Sequence, residues 1–572
     1  MNQHKKPNVV IVITDDQGYG DLGCHGNPEI RTPYIDKLFS QSIRFTDYHT
    51  GPTCAPTRAG LLTGHYHNST GVWHTIGGRS LLRKDEVSMA NVFQDNGYKT
   101  GIFGKWHLGD NYPYRPHDRG FEESVVHGGG GIGQTPDYWG NDYFDDTYFV
   151  NGKEQKYEGY CTDVFFNLGL DFVERHQDTP FLCFIATNAP HIPLNVDKKY
   201  SDLYIDSVPE DRAKFYGMIT NIDENVGKFR NRLQELGLEE NTIFIFMTDN
   251  GTYTGCELDR SEFITEGYNA GMRGRKGSAY DGGHRVPFFL HWPAQGWTKG
   301  RDIPQLAANV DVMPTFIELC GLRKPESLQF DGISLAALLQ GDNAHWEDRS
   351  IVTDSQRVPQ PIKWRSSTVM TQRWRLINGE SLYDIASDPE QKLDVASSHP
   401  QVVSKLRADY DLWWKKVSRQ FDEDIPIVIG TDHEHITDLT AHDWRADLSD
   451  VPWSQYEIRV AKACNSYWEI EVSEDGEYHF DVRRWPLEEN RSMTEGIPGE
   501  IDWYNGGRAL SLRLAHIKIG DYKESKPVNG QDKFVRFTVI LQKGSTRLQT
   551  YLEDDNGTLI GAYYVYISKL IC

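Results

Sequence analysis

Short apolar runs recur through the first half of the chain: "NVVIVIT" (8–14), "YKTGIFG" (98–104), "PFLCFIAT" (180–187), "NTIFIFMT" (241–248) and "VPFFLHWP" (286–293). Such runs, apolar at consecutive positions and of strand length, predict strands buried on both faces. Between them, residues 211–236 carry apolar side chains at helical spacing. Strands alternating with helices predict an α/β fold: a mostly parallel central sheet with helices on both faces. A second unit follows, with "SSTVMTQRWRLI" (366–377) read as one strand and residues 399–417 as a closing helix. Beyond residue 420 the pattern changes. "WEIEVSEDGEYHFDVRRWP", "KFVRFTVILQKGSTRLQTYL" and "GAYYVYI" alternate apolar and polar positions, with turn residues between them. That predicts an antiparallel β-domain of sandwich type. The chain thus divides into a main α/β domain (7–340), a smaller α+β subdomain (341–420) and an accessory antiparallel β-domain (421–572). No internal repeat or low-complexity tract interrupts this order.

Length and composition agree with that division. At 572 residues the chain exceeds a single core, and 38% apolar residues describe a folded protein. The net charge of −22 argues against nucleic acid or an anionic membrane as the main partner. It leaves room for an anionic small substrate, because a local cationic pocket can sit on an acidic protein. No apolar run is long enough to span a bilayer, and "MNQHKKP" leads straight into a strand with no visible signal peptide. The expected location is therefore periplasmic or secreted if a leader was removed, and cytoplasmic if Met1 is the native start. Oligomeric state is left open. The eight cysteines (24, 54, 161, 183, 256, 320, 464 and 572) show no paired spacing, which fits neither a zinc framework nor a disulfide scaffold. Four N-x-S/T sequons occur, at Asn68, Asn250, Asn490 and Asn556.

The chemistry gathers where the predicted strands end, and in open α/β sheets ligands bind beyond those carboxyl ends. Asp15 and Asp16 follow the first run, Lys105 and His107 the second, His191 the third, and Asp249 with Asn250 the fourth. Asp15, Asp16, Asp249 and the Asn250 amide offer oxygen ligands, which suit a hard cation such as Ca²⁺ or Mg²⁺. Arg58, Lys105 and Lys276 would neutralise a tetrahedral oxyanion such as sulfate or phosphate. His107 and His191 are candidates for proton transfer. The segment "GPTCAPTRAGLLTG" (51–64) adds a cysteine at a helix start: Pro56 suits the first turn, and Cys54 and Arg58 share one face. Taken singly, each feature has a plainer reading: a buried structural cysteine, turn and cap chemistry, a solvated loop lysine.

"CAPTRAGLLTG" matches the C-x-P-x-R-x-x-x-L-T-G signature of the type I, formylglycine-dependent sulfatases within the alkaline phosphatase superfamily. "TDDQGYGDLG", "GKWHLG", "APHIP", "TDNG" and "RGRKGSAYDGGHRVP" follow the same family's order, and the resemblance spans residues 7 to 418. Asp281 stands where many members have Glu. The resemblance implies an alkaline phosphatase-like fold and hydrolysis of sulfate esters. It implies that a separate formylglycine-generating maturation enzyme oxidises Cys54 to Cα-formylglycine. Position 54 would then join Asp15, Asp16, Asp249 and Asn250 around Ca²⁺, in preference to Mg²⁺, leaving the Asn250 sequon silent. By the same carry-over, the hydrated formylglycine attacks sulfur while Arg58, Lys105 and Lys276 hold the sulfate oxygens. His191 protonates the departing alcohol, and His107 takes the proton whose loss frees sulfate. The nearest rival is a formylglycine-dependent phosphonate or phosphate ester hydrolase, against which Asn250 and Lys105 both speak. An arylsulfatase without carbohydrate specificity is a further alternative, and a sulfated-glycan-binding role is open for the C-terminal β-domain. The expected substrate is a sulfated carbohydrate, because the insertion at 127–152 is dense in aromatic, Asp and Asn residues. That insertion is alternatively an ordinary packed excursion. His65, His67, His74 and Arg79 either contact the leaving group or lie on the surface.

Overall fold

A computed structural model describes residues 6–341, 346–446 and 450–570; Cys572 lies outside them. The main sheet has ten strands, in the spatial order Arg301–Ile303, Ile43–Phe45, Phe288–His291, Thr242–Thr248, Asn8–Thr14, Phe181–Ala186, Lys99–Gly104, Glu123–Val126, Thr147–Val150 and Lys153–Lys156. The five strands from Thr242–Thr248 to Glu123–Val126 run parallel. Phe288–His291 on one side and Thr147–Lys156 on the other pair antiparallel. The outermost strand, "KEQK", is fully exposed and charged, which blunts the sheet edge against pairing with another chain.

Alternation along the central strand sorts its side chains into two cores. Val9, Ile11 and Ile13 pack on one face with Ala55, Ala59 and Leu62 of the helix Cys54–Thr63. Val10 and Val12 pack on the other with Phe165 and Phe229, from the helices Cys161–Arg175 and Glu210–Glu235. Helices therefore cover both faces, and the consecutive apolar runs are explained.

The second unit differs from expectation in one element. Residues 366–377 form two antiparallel strands, Ser367–Met370 and Trp374–Ile377. The chain reverses at the polar Thr371–Gln372–Arg373, where the Thr371 N–H donates to the Trp374 carbonyl at 2.9 Å and the Trp374 N–H donates to Thr371 Oγ1 at 3.2 Å. Ile351–Asp354 and Ser381–Asp384 complete a four-stranded sheet. Val369, Leu376 and Leu382 pack under Leu406, Tyr410 and Trp413 of the helix Pro400–Val417.

The C-terminal strands form two sheets around one core, which includes Trp468, Phe480, Val482, Phe537 and Val565. All their pairings are antiparallel except Ile427–Ile429 with Tyr467–Val472. Leu81, Tyr114 and Trp139 of the main domain insert into the same core. No helix among the described residues is long and apolar enough to cross a membrane.

Candidate active site

Register brings the strand ends together. Thr14 pairs with Thr248, Ile13 with Ala186, and Gly104 with Ala186. The N–H groups of Asp249 and Lys105 then donate to the carbonyls of Thr14 (3.0 Å) and Ala186 (2.8 Å). Asp15, Asp16, Asp249, Asn250, Lys105 and His107 thus emerge side by side. Gly104 lies at φ 116°, where a Cβ would sit 1.9 Å from the Ala186 oxygen, so only glycine permits this close approach. Asp16 and His107 both adopt φ 63° without being glycine, the backbone strain that clusters at functional sites.

The helix Cys54–Thr63 delivers two more groups. Cys54 is its first residue, and Arg58 lies one turn on, both buried. The Arg58 guanidinium donates to Asp249 Oδ2 and to the Lys105 carbonyl, each at 3.0 Å. Lys105 Nζ lies 2.5 Å from Asp15 Oδ2, and Lys276 Nζ lies 2.5 Å from Asp16 Oδ1. Burial keeps the Cys54 thiol protonated, raising its pKa despite Lys105 and Lys276. The unmodified side chain is therefore a poor nucleophile.

The carboxylates are not satisfied by these cations. Asp15 Oδ1, Asp16 Oδ2 and Asn250 Oδ1 are buried and have no hydrogen-bond partner among the described residues. The Asn250 amide donates to Asp16 Oδ1 and to the Gly251 carbonyl, each at 3.0 Å, which fixes its oxygen as the free end. Donor atoms of Asp15, Cys54 and Asp249 lie within 4.8 Å of one another. Burial and the neighbouring Asp15 push Asp249 up to about 7. Burial opposes ionisation of Asp16 too, yet Lys276, His191 and Lys105 hold it well below the usual carboxylate range. Converging unpaired oxygens with mutually repelling charge fit a hard divalent cation.

The two histidines are held in defined tautomers. His107 Nε2 lies 2.8 Å from the Thr75 carbonyl and must carry the proton, leaving a buried, unpartnered lone pair on Nδ1. Burial and then Lys105 keep this imidazole neutral. His191 Nδ1 lies 2.5 Å from the Ile192 carbonyl, and its Nε2 sits 3.7 Å from Asp16 Oδ2. Burial, reinforced by Lys276 and Lys105, lowers His191 to about 3, with Asp16 opposing.

Of the residues placed near the leaving group, His65 is bound to Glu86 and the Gln329 carbonyl, and His67 to Asp354. Arg79 donates to the carbonyls of Pro359 and Gly77. All three are engaged within the protein, and His67 and Arg79 are buried rather than on the surface. The insertion at 127–152 is largely a packed excursion: Asn141 donates to Asp137, Tyr148 to Asp146, and Tyr143 to the His191 carbonyl. Its glycines serve a different purpose. A Cβ on Gly130 would fall 2.2 Å from the His107 ring, and one on Gly131 would fall 3.3 Å from His191 Nδ1. Bare backbone thus roofs both histidines. The C-terminal sandwich holds that roof through Gln455, whose side chain donates to the Asp137 carbonyl and accepts from the Gly140 N–H.

Sequence reasoning missed a neighbouring buried cluster. His49 Nδ1 and His284 Nδ1 are 2.8 Å apart. Arg375 reaches Asp47 at 2.6 Å and Asp281 at 3.0 Å. Asp281 was visible only as an exception in a motif, and Arg375 sits within an apolar strand run that gave no signal.

Residues 7–322 match the sulfatase family, and residues 275–411 match the C-terminal region described for N-sulphoglucosamine sulphohydrolase. Human arylsulfatase A is 30% identical over 371 residues, covering 59% of this chain and 68% of that protein. An ulvan-active sulfatase of Formosa agariphila is 30% identical over 357 residues, covering 58% and 64%. The solved structure of Ps i-CgsB in complex with k-i-k-neocarrahexaose has 26% identity and a TM-score of 0.63, over 73% of this chain and 99% of that one.

Proposed function

The chain belongs to the sulfatase family and is a sulfuric ester hydrolase, and on that premise we propose that it cleaves sulfate esters of a carbohydrate, using Ca²⁺ and a Cα-formylglycine made from Cys54. The observation that carries the reading is the convergence of orphaned oxygens on Asp15, Asp16 and Asn250 with Arg58, Lys105 and Lys276 around position 54. Asp15, Asp16, Asp249, Asn250 and position 54 would hold the cation. The hydrated formylglycine would supply the attacking oxygen, and the bound cation would supply Lewis-acid polarisation at position 54.

The remaining work falls to the chain's own side chains. Lys105 and Lys276 each use one donor on a carboxylate, which leaves further ammonium protons for sulfate oxygens. With Arg58 they stabilise charge that builds on those oxygens in the transition state. His191 gives its Nε2 proton to the departing alcohol. In the free site burial first, then Lys276 and Lys105, disfavours that proton; an arriving sulfate offsets the two lysine charges and raises the proton affinity of His191 as the substrate binds. His107 accepts a proton at Nδ1, its Nε2–H being tied to Thr75. The roof over the histidines limits water, which strengthens every charge interaction beneath it.

A sulfated sugar is favoured by two relatives: the neighbouring structure holds a k-i-k-neocarrahexaose, and a curated relative is described as ulvan-active. Maturation of Cys54 requires a separate formylglycine-generating enzyme. Residues 7–340 and 341–420 would form the catalytic unit, with 421–572 as the accessory domain. Sulfate release from a panel of sulfated mono- and oligosaccharides, run beside the mass of the peptide containing position 54, tests the reading. Turnover by unconverted enzyme overturns the nucleophile. Converted enzyme that cleaves aryl sulfates and no sulfated sugar overturns the substrate class.

A further inference from the structure

Exposure around the candidate site is graded. The side chains of Asp15, Asp16, Asp249 and Lys105 are fully buried, whereas Lys276 is 7% and His191 8% exposed. The site therefore opens on the Lys276 side. Beside Lys276 stands Arg357: a Cβ built on Gly277 would lie 3.9 Å from its guanidinium carbon.

Arg357 belongs to the connection 355–366 between the strands Ile351–Asp354 and Ser367–Met370, which the fold holds firmly. The Gln356 amide binds Asp354 at 2.7 Å and the Ile362 N–H at 2.8 Å. Trp364 stacks on Tyr410 with ring centroids 3.6 Å apart. Trp73 and Arg79 donate to the Val358 and Pro359 carbonyls. Two non-glycine residues are strained there, Trp364 at φ 68° and Ser366 at φ 39°. Such strain persists where the surroundings over-determine it, often at ligand clamps.

This rigid connection carries two exposed arginines, Arg357 and Arg365. Among the described residues neither guanidinium has a hydrogen bond or an ion pair, although acidic residues outnumber basic ones 82 to 60 in this chain. His74 lies within the field of both. Its Nδ1 accepts from the N–H groups of Thr75 and Ile76, at 2.6 and 3.2 Å. The proton therefore sits on Nε2, which has no partner among the described residues and is not sealed from solvent.

We propose that Arg357, Arg365 and His74 form a second anion subsite beside the sulfate pocket, taking another sulfate or a carboxylate carried by the same substrate molecule. The preferred substrates are then polyanionic saccharides, an inference that rests on the carbohydrate reading above. Guanidinium groups suit this task, because their donor fork matches a planar carboxylate or two oxygens of a sulfate.

The test compares kcat/KM for 4-nitrophenyl sulfate with that for analogues bearing a ring carboxylate or a ring sulfonate, using enzyme converted at position 54. A parallel comparison uses mono- and polysulfated oligosaccharides. The wild-type enzyme should favour the dianionic member in each pair, and the preference should fall as salt rises. Arg357→Ala and Arg365→Ala should each lower the preference about tenfold, the cost of one charge-assisted hydrogen bond. Arg357→Lys should retain part of it. A wild-type ratio near one, or a ratio unmoved by both alanine variants, overturns the subsite. The aryl pair keeps the two readings separable: a charge preference there without turnover of any sulfated sugar retains the subsite and rejects the carbohydrate.

Discussion

Two buried clusters of Asp and His lie on adjoining elements of the main domain, and both bring potential metal ligands close together. In the first, around Asp15, Asp16 and Asp249, like charges oppose one another and Asp249 is pushed up to about 7. In the second, Arg375 spans Asp47 and Asp281. Burial alone would raise both of these carboxyls, but Arg375, followed by His49, holds each below its ordinary value. The ligand atoms are similar and the electrostatics are opposite. Proximity of carboxylates thus says little about a metal. Unpartnered oxygens alone say little more, since Asp47 Oδ2 and Asp281 Oδ2 also lack a hydrogen-bond partner among the described residues. What singles out the first cluster is that burial and Asp15 keep Asp249 raised despite Arg58 and Lys105.

The largest expected effect lies in the first cluster. Cys54→Ala and Asp249→Ala should each abolish sulfate release, as should exhaustive chelation. Asp249→Ala should also lower bound Ca²⁺ in elemental analysis. Circular dichroism should show Cys54→Ala folded, whereas Asp249→Ala, which leaves Arg58 without its buried partner, should also unfold at a lower temperature. More than trace turnover by Cys54→Ala would contradict its assignment.

Next in size is the histidine that faces this cluster. His191 borders Asp16, whereas His49 and His284 are absorbed in contacts with each other and with Asp47. His191→Ala should cost about 10²–10⁴-fold in kcat on a sugar sulfate. The loss should be much smaller on 4-nitrophenyl sulfate, whose leaving group departs without a proton. Equal losses on both substrates would remove His191 from the leaving-group step.

The second cluster should respond in stability. Arg375→Met leaves Asp47 and Asp281 buried without their shared cation, a loss of about 3–5 kcal/mol. The midpoint of thermal unfolding should drop with or without Ca²⁺. A variant as stable as the parent would show that the arginine does not neutralise these carboxylates.

These clusters also mark how far the sequence could be read. The parallel strands were legible because runs such as "NVVIVIT" are apolar on both faces. Asp15, Asp16, Lys105, His107, His191, Asp249 and Asn250 stood out because they follow those runs, and register brings those strand ends together; Cys54, Arg58 and Lys276 stood out only through their own local segments. Arg375 contacts Asp47 across 328 positions and Asp281 across 94, and no periodicity encodes such a contact. The hairpin within 366–377 was hidden because only three polar residues divide two apolar runs. At 127–152 the composition suits a sugar surface and an internal network equally. The hydrogen bonds of Asn141, Tyr143 and Tyr148 decide for the network.

A smaller effect distinguishes the clusters by pH. Asp249 prefers its proton in the folded state, so its contribution to stability is complete below about pH 4 and is lost as pH rises through about 7. Asp16 has the opposite sign, and its contribution is lost only on acidification below that window. Metal-free protein should therefore lose thermal stability between pH 4 and 7, by an amount on the order of a few kcal/mol. Saturating Ca²⁺ should flatten this slope, because the ion needs the carboxylate ionised. A slope of equal size with and without Ca²⁺ would separate Asp249 from the ion.

The smallest expected effect is none. The second cluster has two imidazoles and a carboxylate, a donor set that would suit Zn²⁺ on residue type alone. Its geometry argues against an ion. The 2.8 Å contact between His49 Nδ1 and His284 Nδ1 engages the lone pair of one ring and the proton of the other. The outer nitrogens are also engaged, His49 Nε2 with Asp47 at 2.9 Å and His284 Nε2 with the Ala279 carbonyl at 3.1 Å. Arg375 already places a fixed positive charge against Asp281. A divalent ion would have to break the imidazole pair, a cost that the cluster of Asp15, Asp16 and Asp249 does not carry. Elemental analysis should accordingly give one tightly held divalent ion per chain. Added Zn²⁺ or Co²⁺ should leave the unfolding midpoint of a His284→Asn variant and of the parent shifted equally. A second ion in the parent that is missing from His284→Asn would show that the imidazole pair opens to hold a metal.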